Sequence, residues 1–455
     1  MLVSFSISNF RSFSHEQTLS LVASNRHAGD HEDHALPIPD AKDKVLRTAV
    51  LYGANGAGKS NLFKALGYVE SVALDPRKRN TGTNREPFKF ADLVNEPSCF
   101  ELQIIAVGKL YQFGFKVDDE RIREEWLLQI DGGRQRVIYE RLTDGDGQVT
   151  IDAPGIESGN AKLRALATVG GPQNQSFLAT VNATLEVVDF GPDLAAVIGW
   201  FKNSLHLIGP DETYSPLAIE LNTDPDFLAF ASEFLKGSST GVDHLEVSQK
   251  ELSADEIKKI IPGAVLSKAL KNAEKDAGMV VAFGEGNQVV LESGGGESGF
   301  HIRVQSAHEH KPGEVIRLEL EEESDGTRRL LNLIPALHRL RGSGAVFFID
   351  EIDRSLHPIL VRRFLECFLG LCSSGQRQVI VTTHESSLLD QDLLRRDEIW
   401  FAEKDASAAT HLYSLVDFKV RNDLEIRKHY LQGRFGAVPF IGGFEHLRTE
   451  PEHCK

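Results

Sequence analysis

The stretch Gly53-Ala54-Asn55-Gly56-Ala57-Gly58-Lys59-Ser60 constrains this chain more than any other. It matches G-x-x-x-x-G-K-[ST] at every fixed position, a pattern that carries meaning only between a strand and a helix. Both flanks qualify. Arg47–Tyr52 reads as a short buried strand. From Asn61 to Leu74, the residues Leu62, Ala65, Leu66, Val69 and Ala73 fall at helical spacing. Glycines let backbone N–H groups curl around a phosphate, and the helix N-terminus adds donors and partial positive charge. In such a loop Lys59 reaches the β- and γ-phosphates and the Ser60 hydroxyl ligates Mg²⁺. ATP and Mg²⁺ are therefore the expected cofactors.

The last third supplies the complement. Ala345-Val346-Phe347-Phe348-Ile349 is a continuous apolar run, as expected of a parallel strand buried on both faces, and it ends in Asp350-Glu351. A helix follows, with Leu360, Val361, Phe364, Leu365, Phe368 and Leu369 on its apolar side. Gln378–Thr383 is a second buried strand, ending at His384. This is a βαβ unit with polar residues at the strand ends, where open α/β sheets hold ligands. Asp350 fits the second Mg²⁺ ligand and Glu351 the general base for water. His384 is placed to hydrogen-bond a γ-phosphate. Before the helix led by Leu330, Leu331 and Leu333, Ser324 can cap and Gly326 permits close backbone approach, so that helix N-terminus is a second anion site.

Between these ends the chain changes character twice. Residues 1–24 read as strands, and 99–151 as antiparallel strands turned at Asp131-Gly132-Gly133 and Asp144–Gly147. Residues 155–275 show helical periodicity around 160–168, 193–205, 225–236 and 253–273, without a sustained heptad. Strands return at Met279–Phe283, Gln288–Leu291 and Ile316–Leu320, with Gly294–Gly296 as a loop. Three regions follow: 1–154, 155–275 and 276–455.

Composition excludes some classes. The formal net charge of −16 disfavours coating nucleic acid by bulk electrostatics, so any such contact needs a local patch or a partner. The basic groups Arg77-Lys78-Arg79, Arg328-Arg329, Arg362-Arg363 and Arg395-Arg396 read as solvated faces. No apolar stretch reaches the roughly 18 residues of a membrane span. The N-terminus lacks the basic and apolar regions of a signal peptide. The four cysteines, Cys99, Cys367, Cys372 and Cys454, are too scattered for a disulfide framework, and a reducing cytoplasm is expected. His27, His31 and His34 read as part of a solvated loop rather than a metal site.

The order of motifs resembles ABC-type ATPases of the RecF/SMC/OLD kind, most closely the stand-alone RloA/AbiL-like abortive-infection ATP-binding proteins. The resemblance is carried by Ile7–Phe13, Gly53–Ser60, Ser324–Thr327, Phe348–Asp353, Ser355–Pro358, Thr382–His384 and the ending Tyr430–Phe440. It implies an α/β fold: an ABC-type head with an antiparallel N-terminal β lobe, a central parallel sheet flanked by helices, and a mostly helical insertion. It also implies roles. Arg11 and Asn61 join Gly53–Ser60 in holding nucleotide. Ser324 and Gly326 stand where the signature motif contacts the γ-phosphate bound to the opposite subunit. Ser355–Pro358 crosses the dimer interface, and His384 is the switch histidine. The machine implied is a head-to-tail homodimer with two ATP molecules sandwiched, possibly in a larger assembly.

Two departures stand out. The signature is Ser-Asp-Gly-Thr, and Phe88-Lys89 occupies the region where a Mg²⁺-contacting glutamine usually lies. Transport is disfavoured. So is a fused nuclease, because only about seventy residues follow His384 and no HNH-type Cys/His cluster is present. The leading expectation is an anti-phage ATPase that controls a separate nuclease or toxin. A RecF-like DNA-repair or DNA-end-binding ATPase is the alternative, and a scaffold with negligible turnover the third; Glu351 argues against the last.

Overall fold

A computed structural model describes residues 1–27, 29–78, 81–156, 160–214, 216–261, 279–282, 286–291, 298–339, 344–370, 376–419 and 425–439. The Gly294–Gly296 loop, Phe283, Cys372, Phe440, Cys454 and the later part of the 253–273 helix lie outside them. The chain forms two compact units. The first comprises Met1–Leu207, Phe348–Asp350 and Gln378–Lys455; the second comprises Ile208–Phe347 and Glu351–Arg377. The 155–275 stretch is split at Leu207, because its first half packs on the N-terminal strands and its second half belongs to a separate sheet.

The first unit holds one sheet and most of a second. One is antiparallel, in the order Val149–Asp152, Arg134–Thr143, Ile122–Asp131, Lys109–Val117, Ser98–Ala106, Leu2–Ser8, Gln17–Ser20. Tight turns set its register. Val107-Gly108 and Gly132-Gly133 all have positive φ (48°, 72°, 54° and 83°), the backbone of a two-residue hairpin turn that matches strand twist. Inward-facing aromatics fill the sheet, with Phe100 stacked on Phe115 at 5.1 Å. The Glu125 carboxylate is fully buried and accepts from Tyr139 Oη at 2.6 Å and from the Phe177 N–H at 2.8 Å. It thereby caps the Phe177–Thr184 helix, and burial raises its pKa against the opposing pull of Arg141.

The second sheet runs Leu205–Ile208, Ala345–Ile349, Arg377–Thr383, Thr48–Tyr52, Ile399–Lys404, Thr410–Ser414. Thr48–Tyr52 is buried along its whole length and parallel to both neighbours. That explains its unbroken apolar character. The chain end closes over Phe401, on which Tyr430 and Phe435 stack at 5.7 and 5.9 Å.

In the second unit, Ser298–Lys311 pairs antiparallel with His244–Ser253, Asn287–Leu291 and Glu314–Glu319. Helices Leu217–Thr223, Pro225–Gly237, Ala254–Ile260, Asp325–Arg339 and Pro358–Gly370 complete it. The 155–275 stretch carries its expected helices at Ala161–Val169, Pro192–Gly199 and Pro225–Gly237, whereas the one expected over 253–273 is described only as Ala254–Ile260 with extended backbone at Ile261; the stretch also holds a ten-residue strand, His244–Ser253. That strand is outwardly polar (Gln249, Lys250 and Glu251 are exposed), which hid it from apolar periodicity.

Two expectations about charged residues need correction. Arg329, Arg395 and Arg396 are buried rather than solvated. Arg395 forks onto Asp397 at 2.9 and 2.8 Å, and Arg396 donates to Gln391. His34 is also buried, with Nδ1 at 3.0 Å from Glu398 and its ring stacked on His31. The 25–45 segment is therefore packed by specific polar pairs. A run of polar residues reads as solvated only when their partners, here more than 350 residues away, are unknown.

Candidate functional site

The phosphate loop lies wholly in the first unit. Thr48–Tyr52 delivers the chain into it and the Lys59–Leu74 helix leads out. Three glycines are required for different reasons. Gly53 has no room for a Cβ, which would stand 2.5 Å from the Ala402 carbonyl oxygen. Gly56 has φ 77° with open space above it. Gly58 combines φ 109° with a Cβ position 2.1 Å from Thr410 Oγ1. Gly58 also serves as the helix N-cap without a side-chain cap, which leaves the helix N-terminal donors to the loop's contents. Within the loop the Ala57 N–H donates to the Ala54 carbonyl at 3.1 Å, and the Asn61 N–H to the Gly58 carbonyl at 2.9 Å.

Lys59 is buried, and its Nζ folds back over the loop. It donates to the Gly53 carbonyl at 2.8 Å and stands 3.0 Å from His384 Nε2. The structure thus brings together the loop lysine and the strand-end histidine, from positions 325 residues apart. Asp350 is buried at the end of its strand, and Oδ1 accepts from Thr382 Oγ1 at 2.6 Å. A buried carboxylate together with the Ser60 hydroxyl at the helix start is a hard-oxygen donor set, the kind Mg²⁺ takes.

Arg11, also expected at the nucleotide, is engaged with Glu86 in this structure. Its guanidinium pairs with Glu86, and its N–H donates to the Glu86 carbonyl at 2.7 Å. Its neighbour Ser12 touches the loop machinery instead. Ser12 Oγ accepts from Asn61 Nδ2 at 2.8 Å and lies 2.8 Å from Thr410 Oγ1, and the Thr410 hydroxyl donates to the Ala57 carbonyl at 2.8 Å. Phe88 is buried, and its N–H donates to Asn9 Oδ1 at 3.2 Å.

The remaining site residues lie in the second unit. Glu351 adopts φ 48°, a left-handed backbone that a glutamate rarely holds without support. Arg329 Nη2 donates to its carbonyl at 3.3 Å, and Arg354 Nη1 stands 3.7 Å from its carboxylate. Ser324 caps its helix as expected, with Oγ accepting from the Thr327 N–H at 3.2 Å. Gly326 is tight, but against its own chain: a Cβ there would stand 2.9 Å from the Ser355 carbonyl oxygen.

Residues 49–390 match the family model described as "AAA domain, putative AbiEii toxin, Type IV TA system". The chain belongs to this family. The matched span opens in the strand before the phosphate loop and closes just past His384, so this AAA-type domain contains every strand-end residue described above. No curated protein matches.

Among solved structures the chain is similar to the SMC head domain from Thermotoga maritima, at 13% identity and TM-score 0.36, covering 91% of this chain and 98% of that one. It is also similar to an SmcHead bound to the C-winged helix domain of ScpA, at 12% identity and TM-score 0.37, covering 91% and 97%. No helix among the described residues is long and apolar enough to cross a membrane.

Sequence reasoning missed Ser12, Thr382 and Thr410 as parts of the AAA site. Ser12 sits inside the Ile7–Phe13 stretch, where a serine between Arg11 and Phe13 carries no pattern of its own. Thr382 gives a signal, being one of the two threonines that close the Arg377–Thr383 strand just before the histidine. Thr410 gives none.

Proposed function

We propose that this chain is an ATP-binding and ATP-hydrolysing subunit of a bacterial anti-phage, abortive-infection system, acting as a dimeric switch over a separate effector. The observation that carries the proposal is the Lys59 ammonium, held over the loop carbonyls and within 3.0 Å of His384. A buried cation in a glycine loop at a helix N-terminus suits a polyphosphate. The family description, which joins an AAA domain to a toxin–antitoxin system, supports the setting.

In this proposal Gly53–Ser60 and Asn61 hold the phosphates, with Arg11 beside them. Ser60 and Asp350 hold Mg²⁺, which supplies charge neutralisation at the phosphates when bound. Glu351 takes the proton of the water that attacks the γ-phosphorus, and ADP leaves with the β–γ bridging oxygen. His384 and Lys59 exchange their mutual contact for the γ-phosphate, so nucleotide state is read at the end of the Arg377–Thr383 strand. Ser324 and Gly326 serve the nucleotide of a second copy in a head-to-tail homodimer. The effector, a nuclease or toxin, is a separate polypeptide in the cytoplasm.

The test is native mass of the Glu351→Gln protein, expressed with its chromosomal neighbours, with and without ATP and Mg²⁺. ATP-dependent dimers that carry a neighbour protein are expected. A monomer unchanged by ATP, with nothing attached, overturns the switch.

A further inference from the structure

The 88–96 loop of the first unit holds an aromatic ring in water. It forms neither helix nor strand, and it leaves Phe90 71% and Val94 40% exposed. Two buried side chains nevertheless fix its backbone. Asn9 donates through Nδ2 to the Leu93 and Glu96 carbonyls, each at 2.7 Å, and its Oδ1 accepts from the Phe88 N–H. The Arg85 guanidinium donates to the Val94 carbonyl at 2.6 Å and the Glu96 carbonyl at 2.5 Å, while its Nε reaches Asp119 Oδ1 at 2.6 Å. Phe88 is buried, with its ring 5.7 Å from that of Phe90. Ordering a loop costs backbone entropy, and a solvated phenylalanine forgoes the gain of burial. A partner that covers the ring offsets both, because the loop needs no further ordering on binding.

The surroundings decide what that partner is. Through Asn95 the loop borders a cavity of about 440 Å³ that Asp119, Glu120 and Asp144 also line. Across 85–96, 118–123 and 143–148, the segments that meet there, eight carboxylates stand against four cations. One of the four, Arg85, is buried on its own acceptors. An aromatic platform for nucleobases needs a basic groove to carry the phosphates, and this acidic one repels them. An exposed ring with an acidic rim suits instead a polypeptide whose apolar pocket is edged by lysine or arginine. We propose that the 88–96 loop is the docking point for the separate effector, which takes Phe90 and Val94 into an apolar pocket and lays basic side chains along the acidic cavity. This rests on the reading that a separate effector exists, and it asks nothing of Glu351 or the nucleotide.

The probe is the protein encoded beside this chain that co-purifies with it in the native-mass test. Its affinity is measured for the full chain as wild type, as Phe90→Ala, and as Asp92→Lys combined with Glu120→Lys. Phe90→Ala is expected to bind about thirtyfold more weakly, the mark of a central aromatic anchor. Its ATP turnover and melting temperature stay at wild-type values, because Phe90 is exposed and touches no nucleotide residue. The charge-reversed variant associates about tenfold more slowly at low salt, and that deficit shrinks as added salt screens the rim. Phe90→Trp emission shifts to shorter wavelength in the complex. A neighbour protein that binds Phe90→Ala as well as wild type overturns this proposal alone. A neighbour that never binds wild type removes the effector reading, and the docking point with it. Two other occupants are read in the same series. If Phe90→Ala abolishes the ATP-dependent dimer of Glu351→Gln, the ring serves a second copy of this chain. If a labelled single-stranded oligonucleotide binds wild type and not Phe90→Ala, the ring serves nucleobases. Either result overturns the proposal.

Discussion

The phosphate loop and the Glu351 turn are held in opposite ways. Around the loop the restraining side chains are buried: Lys59 is 5% exposed, and Thr410 and Ser12 are 1% and 5%. Its shape is dictated by backbone, by glycines that packing or a positive φ requires, and by short buried hydrogen bonds. The Glu351 turn relies on one buried arginine and on side-chain ion pairs open to solvent, with Arg354 44% and Glu351 36% exposed. Buried neutral bonds keep their geometry across solution conditions, whereas exposed ion pairs weaken with salt and contribute little. The contrast suggests a rigid binding end and an adjustable chemical end.

The hardest blow to the binding end is Lys59→Met. The ammonium already bridges Gly53 and His384, and its removal takes away the charge a triphosphate meets in the loop. A charge-assisted contact of about 3 kcal/mol corresponds to about a hundredfold loss of ATP affinity, measurable by titration calorimetry. Near-normal binding would mean that the lysine serves only the loop's fold.

Glu351→Gln attacks the other end. Turnover is expected to fall by about 10² to 10⁴, the usual contribution of a positioned base, while ATP affinity stays within about twofold. If affinity fell with turnover, the two ends would not be separable and the contrast would fail.

What the sequence made legible follows the same division. The loop's side was readable because its chemistry sits in contiguous residues: strand, glycines, lysine and helix occupy Thr48–Leu74 without a break. Asp350 and His384 were readable because strand ends mark themselves by an abrupt polar residue after an apolar run. The chemistry around Glu351 was less so. Its φ of 48° leaves no trace in sequence, and its supports, Arg329 and Arg354, are ordinary charged residues in polar stretches. The His244–Ser253 strand escaped for a related reason. Its exposed face carries Gln249, Lys250 and Glu251, so what holds it is pairing with Ser298–Lys311 over ten residues, a long-range register that local periodicity cannot report.

A smaller test probes the rigidity claimed for the loop. Gly58→Ala forces a side chain into φ 109° and toward Thr410 Oγ1. A strained backbone of this kind costs about 1–3 kcal/mol. Melting temperature should drop, with partial recovery when Thr410→Ala removes the obstructing hydroxyl and methyl. Recovery stays partial because the φ strain remains whatever the space. No loss of stability would show that the loop yields, contrary to its buried restraints.

The smallest expected effect is also the most specific. Thr410 Oγ1 makes two bonds at once, at 2.8 Å to Ser12 Oγ and 2.8 Å to the Ala57 carbonyl. Thr410→Val keeps the shape and removes both, leaving the buried Ala57 carbonyl without its donor. A net hydrogen bond is worth about 1 kcal/mol, so unfolding free energy should fall by roughly 1–2 kcal/mol in denaturant titrations. Because Ala57 belongs to the loop, ATP affinity should weaken by about two- to fivefold while kcat at saturating ATP holds. Thr410→Ser retains the hydroxyl and should recover affinity even where the lost methyl still costs stability. If serine failed to rescue affinity, the hydroxyl would be a packing feature of the last strand. If valine lowered kcat and spared affinity, the loop and the Glu351 turn would be coupled more tightly than their separate supports imply.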